Sequence, residues 1–162
     1  MSYPEPRYLG EPGLVNARLR HAGHEPEVKY PSGGTAHYLA TGASTNGQFG
    51  LFRWEMSAVP SGPEPHFHRT ISESFYVLAG TVRLYDGKRW IDGTPGDFLF
   101  VPEGGIHAFR NESGAPASML ILFAPGAPRE EYFETTARLA GGLVLSDEEK
   151  AAFYVRHDTY WR

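Results

Sequence analysis

The spacing of His66, His68 and Glu73 limits the possible folds of this chain more than any other feature. One residue separates the two histidines, Glu73 follows after four more, and Gly80 follows after a further six. Side chains two apart on a β-strand point to the same face and can approach one ion together. Residues 74–79 are rich in aromatic and β-branched types, so Glu73 is predicted to open a strand that ends at the turn of Gly80.

A second block begins at Gly96 and adds a third histidine. Residues 98–101 read as a strand, and the Pro-Glu-Gly-Gly sequence at 102–105 predicts a turn that delivers His107 onto the next strand. On that strand His107, Phe109 and Asn111 would share a face. The two blocks together offer three imidazoles and one carboxylate to a single divalent metal. The sequence is therefore predicted to encode a small metal protein.

These two blocks resemble the paired signature of the cupin superfamily, whose members are double-sheet jelly rolls. The second motif, written as glycine, five residues, Pro-x-Gly, two residues, histidine, three residues and asparagine, fits from Gly96 to Asn111 without a gap. The first motif fits from His66 to Gly80. Its opening glycine is expected at position 60, where Pro60 stands, and only three residues separate Gly62 from His66. The departure concerns the entry loop.

The resemblance implies a fold, a ligand set and a cofactor. The fold is an all-β double-stranded β-helix, or jelly-roll barrel. By position in the motifs, the metal ligands are His66, His68, Glu73 and His107. The ion would be one divalent transition metal, and iron, manganese, nickel, cobalt, copper and zinc all accept such ligands. Turns are implied at Gly80, Gly96, Pro102 and Gly104, with a structural role for Asn111. The alternative is a barrel without metal, whose histidines serve as acid/base or packed groups.

Around the motifs, the pattern predicts an N-terminal arm at 1–31, the barrel at 32–126, and a helical tail at 127–162 packed on it. Pro128 suits a first helical position, and Ser146 with Glu149 forms a predicted capping box for a second helix. The aromatic pair at 160–161 is predicted to dock on another part of the protein, since exposure would be unfavourable. The arm is predicted to exchange between two protomers of a homodimer, because the unpaired backbone groups of an edge strand favour pairing with another chain.

Composition excludes several classes. The chain has 162 residues and no cysteine, so it has neither disulfides nor a thiolate zinc site. A net charge of −4 argues against a nucleic-acid partner. The longest apolar run, residues 119–124, is too short to cross a bilayer. Residues 1–13 do not resemble a signal peptide, so a cytoplasmic location is expected.

The functional hypothesis is a metal-dependent dioxygenase, because the motifs look most like those of small bacterial quercetinase-type cupins. The partners would be a small aromatic or enolic substrate and dioxygen, and Glu73 would be both ligand and catalytic proton acceptor. Two alternatives stay open, an oxygen-independent isomerase, lyase or polyketide cyclase and a small-molecule-binding cupin without turnover. Five aromatic residues near the motifs could surround the ion, although barrel core is the simpler interpretation for each: Phe67, Phe75, Phe98, Phe100 and Phe109.

Overall fold

The structure is a computed structural model that describes residues 2–162, so Met1 of the predicted arm lies outside the described residues. The elements of the first half are β1 (Val28–Lys29), β2 (Thr35–Ala40), β3 (Gly50–Met56), β4 (His66–Phe67), β5 (Ser72–Ala79) and β6 (Val82–Tyr85). Those of the second half are β7 (Trp90–Gly93), β8 (Phe98–Val101), β9 (Ala108–Arg110), β10 (Ala117–Ala124), α1 (Glu130–Ala140), α2 (Asp147–Arg156) and β11 (Tyr160–Trp161).

Two antiparallel sheets build the barrel. The larger sheet has six strands in the order β1-β2-β3-β10-β5-β8. The smaller sheet has the order β7-β6-β9, and two isolated bridges, Ser61 with Asn111 and His66 with His107, continue it into the β11-β4 pair. The non-sequential strand order, in which β10 returns between β3 and β5, is that of a jelly roll. The predicted all-β fold with short C-terminal helices is confirmed.

The core lies between the two sheets and is closed on one side by α1. Strand β10 alternates in burial, and its inward residues include Met119, Ile121 and Phe123. The ring of Phe133, on α1, lies 5.1 Å from that of Phe52 and 5.1 Å from that of Trp54. Aromatic contacts at this separation add to the stabilisation from burial. Helix α1 is therefore held against the larger sheet by its own core residue.

The strand register corrects one prediction about the aromatic residues. Phe98 and Phe100 are 62% and 56% exposed, so neither belongs to the core or to a lining around an ion. Both lie on the edge strand β8, where the alternate residues Leu99 and Val101 face inward. Because the side-chain period of a strand is two, inward Leu99 and Val101 place both phenylalanines on the outer face. Phe75 is fully buried in the core, as predicted.

The C-terminal segment folds back on the barrel. The predicted first helical position at Pro128 is wrong, because α1 begins at Glu130 after the cap residue Arg129. Hydrogen bonds from Ala127 N to Pro125 O and from Arg129 N to Ala127 O form tight turns that keep Pro128 outside the helix. The predicted capping box of Ser146 and Glu149 is confirmed at the start of α2.

The two ends of the described chain behave differently. The predicted docking of the C-terminal aromatics is confirmed, since β11 pairs with β4 and the ring of Tyr160 stacks on that of Phe67 at 5.3 Å. Phe67 therefore faces away from the barrel core. Residues 2–27 contain no helix or strand and are mostly exposed, and the predicted arm ends in β1, which pairs with β2.

Candidate metal centre

The structure brings together all four residues that the sequence predicted as ligands. His66, His68, Glu73 and His107 are buried, and one donor atom of each lies within 4.8 Å of the others. They come from three separate parts of the chain. His66 lies on β4, His68 just after β4, Glu73 on β5, and His107 just before β9.

Backbone pairing sets the position of His66 beside His107. The amide of His66 donates to the carbonyl of His107 at 3.0 Å, and the amide of His107 donates to the carbonyl of His66 at 2.9 Å. This reciprocal pair places the two residues directly opposite each other, with ring centroids 4.4 Å apart. Two of the three imidazoles are therefore fixed by one cross-strand contact.

His68 and Glu73 complete the cluster from a loop and from the other sheet. His68 lies one residue beyond β4, and its carbonyl accepts a hydrogen bond from the Gly104 amide at 2.7 Å. Glu73 pairs with Val101 on one side and with Phe123 on the other, so it lies inside the larger sheet. The cluster therefore joins the inner walls of both sheets, which is why residues far apart in sequence converge.

Each imidazole is oriented by a backbone carbonyl. Nδ1 of His66 donates to Glu64 O at 2.8 Å, Nδ1 of His107 donates to Gly105 O at 2.9 Å, and Nδ1 of His68 donates to the carbonyl of Asp158. When Nδ1 carries the bonded proton, Nε2 is the atom left to coordinate a metal. These acceptors could not be predicted from the sequence, because every residue has a carbonyl oxygen.

The electrostatics of the cluster favour a bound cation. Burial, assisted by the charge of His107, lowers the pKa of His66 to about 3, so that ring is neutral at neutral pH. Burial alone would raise the pKa of Glu73, but the charges and hydrogen bonds of His107 and His68 outweigh it and hold that pKa well below its usual range. Burial alone would lower the pKa of His107, but Glu73 outweighs it and raises that pKa.

One carboxylate oxygen is the common contact of two rings. Oε2 of Glu73 lies 3.0 Å from Nε2 of His68 and 2.8 Å from Nε2 of His107, and in the metal-free protein it accepts from whichever ring is protonated. A buried carboxylate needs a compensating positive charge. Three imidazoles and one carboxylate are ligands that divalent transition metals accept, so the residues present fit such an ion.

An apolar cavity of about 420 Å³ opens from the cluster, and His66 and Glu73 form part of its wall. This volume lies within the range, about 300 to 1,000 Å³, of pockets for small organic ligands. Eight of the 20 residues that line it are aromatic, namely Tyr30, Trp54, Phe109, Phe123, Tyr132, Phe133, Tyr154 and Trp161. Phe109 is the only one of these that lies near the motifs, since the others come from the strands before them, from β10, from α1 and from the C-terminal end.

Comparisons with known proteins identify relatives of this chain. The family model for the cupin domain matches residues 53–123. Quercetin 2,3-dioxygenase of Bacillus subtilis (strain 168) is 30% identical over 120 residues, which are 73% of this chain and 34% of that protein. An uncharacterized protein of Aquifex aeolicus (strain VF5) is 34% identical over 61 residues, 38% of this chain and 50% of that protein. The chain thus spans at most about half the length of these curated relatives.

Two solved structures illustrate the similarity in fold. The polyketide cyclase RemF from Streptomyces resistomycificus is 27% identical, with a TM-score of 0.56, over 69% of this chain and 80% of that chain. A predicted oxalate decarboxylase from Thermotoga maritima is 19% identical, with a TM-score of 0.58, over 67% of this chain and 99% of that chain.

Neither α1 nor α2, the two helices within residues 2–162, is long and apolar enough to span a membrane.

Proposed function

Since this chain carries a cupin domain, we propose that it is a metal-dependent dioxygenase acting on a small aromatic or enolic substrate. The observation that carries the proposal is the convergence of three imidazoles and one carboxylate at the wall of an aromatic cavity. The similarity to a quercetin 2,3-dioxygenase over 73% of the chain supports the choice of reaction.

In this proposal His66, His68, Glu73 and His107 hold one divalent transition ion. The ion, when bound, supplies Lewis acidity towards a hydroxyl oxygen of the substrate. The carbonyls of Glu64, Gly105 and Asp158 keep the three rings oriented. Fixed ligand orientation matters because small misplacements at a reacting centre reduce rate strongly.

Glu73 is the group that moves a proton. Its carboxylate stays ionised because the neighbouring imidazoles hold its pKa well below the usual range against the effect of burial. Such a weak base accepts a proton only from a hydroxyl whose own pKa is lowered in the site. An enolic or phenolic hydroxyl that enters the cavity would give its proton to this carboxylate, and the deprotonated carbon framework would then be electron-rich enough to react with dioxygen. The aromatic wall excludes water and stacks against a planar substrate.

Oxygen uptake tests the proposal. Protein prepared with iron, manganese, nickel, cobalt, copper or zinc is assayed in air-saturated buffer against a panel of flavonols, enediols and hydroxylated aromatic acids. We expect consumption of dioxygen with at least one metal form and one substrate, and its loss in His107→Ala. No consumption across the whole panel would reject the dioxygenase proposal.

A second candidate is an oxygen-independent isomerase, lyase or polyketide cyclase that uses the same residues. The observation that favours it is the similarity to the polyketide cyclase RemF, which extends over 69% of the chain. Product formation under strict anaerobiosis would support this candidate against the dioxygenase. Ligand binding without any product would instead support a small-molecule-binding cupin. The homodimer, the cytoplasmic location and the division at residues 31 and 126 stay predictions.

A further inference from the structure

Arg129 is a buried cation whose charge no carboxylate balances within residues 2–162. It stands immediately before α1 and is 3% exposed. Among those residues its guanidinium makes one hydrogen bond, from Nη1 to the carbonyl of His157 at 2.6 Å, and no ion pair. Its Nε is buried without a hydrogen-bond partner. A desolvated charge without a counter-ion is unfavourable, so this position favours an anion from outside the chain.

Aromatic rings hold the guanidinium in place. Its central carbon lies 3.9 Å from the ring centroid of Tyr132, 5.0 Å from that of Phe123 and 5.7 Å from that of Phe133. Ring faces attract a cation but carry no net charge, so they leave the positive charge unneutralised. They also restrict the side chain, which reduces the entropy that a ligand must remove on binding.

The guanidinium and the histidine cluster share one cavity. Arg129 lines the same cavity as His66 and Glu73, and its charge acts on His107 in the cluster. Among the cavity-lining residues, Glu73 and Arg129 are the two with ionised side chains at neutral pH. Glu73 is held within the cluster, where its carboxylate contacts His68 and His107 at 3.0 and 2.8 Å. The remainder of the cavity therefore carries an unmatched positive charge.

We propose that Arg129 binds a carboxylate of the substrate, so that the cavity selects aromatic hydroxy acids over neutral aromatic compounds. The hydroxyl end of such a molecule would lie at the histidine cluster and the carboxylate at Arg129. A planar guanidinium suits a carboxylate better than any other side chain, because its N–H groups can bind both oxygens. The inference rests on the proposed function in one respect, that the ligand occupies this cavity.

Binding without turnover tests this substrate class. The probes are 6-hydroxy-2-naphthoate and the uncharged 6-hydroxy-2-naphthamide, which share a framework and keep the hydroxyl far from the variable group. Their affinities are measured by calorimetry under nitrogen, with metal-free protein and with zinc-loaded protein. We expect the acid to bind at least tenfold tighter than the amide in both forms. Equal affinities of the two probes would overturn the proposal.

Two variants separate recognition from structure. In Arg129→Met, which keeps the length and the packing of the stem, the acid should lose its advantage while the affinity for the amide changes less than twofold. Arg156→Met is the matched control, since that arginine is exposed and pairs with Glu131 outside the cavity. It should keep the full preference. A preference retained in folded Arg129→Met would contradict the proposal.

A second measurement covers the case in which Arg129→Met does not fold. The Nε–H resonance of Arg129 in the wild-type protein is assigned by its absence from Arg129→Lys, and then followed during titration with each probe. We expect it to shift with the acid and not with the amide, and an unchanged resonance at saturating acid would refute the assignment. Neither readout requires oxygen, so failure of the dioxygenase proposal would be seen separately in the uptake assay.

Discussion

Glu73 belongs to the larger sheet, and its carboxylate contacts histidines on the side of the smaller sheet. Its carboxylate contacts imidazoles that belong to the smaller sheet and its loops, while its backbone is paired on both sides within the larger sheet. The strand pairing on both sides fixes the backbone of Glu73 beside the cluster. Its contribution to ion binding can therefore be measured by a substitution that keeps its shape.

Glu73→Gln should lower the affinity for a divalent ion by at least about tenfold, because it removes the single negative ligand. The measurement is competition between the zinc-loaded protein and a chelator of known affinity. Glu64→Gln is the control, since its exposed side chain pairs with Arg110 while its backbone carbonyl still accepts from His66. Equal affinities for Glu73→Gln and the control would remove the carboxylate from the ligand set.

At the scale of single residues, the four cluster members could be predicted because their spacing matches the period of a strand and the turns between strands. Arg129 could not be predicted. One arginine among many charged residues carries no periodic signal, and its burial depends on α1 folding back over the larger sheet. The outward direction of Phe98 and Phe100 likewise depends on the register of β8 with β5.

Among the secondary-structure elements, β11 and the residues before it have the closest connection with the cluster. Asp158 adopts a left-handed conformation, with φ of 52°, which aspartate tolerates better than most residues. Its carbonyl accepts from His68, and its carboxylate accepts from the amides of Arg69 and Thr70. Trp161, on β11, packs against His66 at 5.3 Å. The tail thus supports two of the predicted ligands.

Asp158→Ala should reduce ion affinity about 10- to 100-fold, because it releases the loop that carries His68. It should also destabilise the protein by about 1–3 kcal/mol, since the amides of the loop lose a charged acceptor. Chelator competition and thermal denaturation measure the two effects. Asp92→Ala, which removes an exposed carboxylate beside Arg83, should change neither. Unchanged ion affinity in Asp158→Ala would show that the tail does not support the site.

At the scale of the whole molecule, the free edges of the larger sheet are its unprotected parts. Strands β1 and β8 form these edges, and residues 2–27 contain no helix or strand and are mostly exposed. Edge strands with exposed apolar side chains favour pairing with another chain. The homodimer predicted from the sequence would cover the arm and one of these edges. Which edge is covered could not be predicted, because a contact with a second chain leaves no periodic pattern in the sequence.

Light scattering at assay concentration should give twice the chain mass of 18.0 kDa. Removal of residues 2–27 should shift the protein towards monomer, because the exchanged segment is lost. The double substitution Phe98→Ser and Phe100→Ser tests the outer face of β8 as a different contact. A monomeric full chain would contradict the dimer and leave the four-residue cluster unaffected.

The carbonyl that orients the ring of His68 belongs to Asp158, 90 residues later in the chain. A ribosome synthesises the histidine, then the rest of the barrel, and only afterwards the acceptor that fixes the ring. A nascent or prematurely terminated polypeptide would therefore present an incomplete coordination pocket, even with every strand of the barrel already made. Incomplete products would therefore hold an ion at this cluster less tightly than the whole chain would.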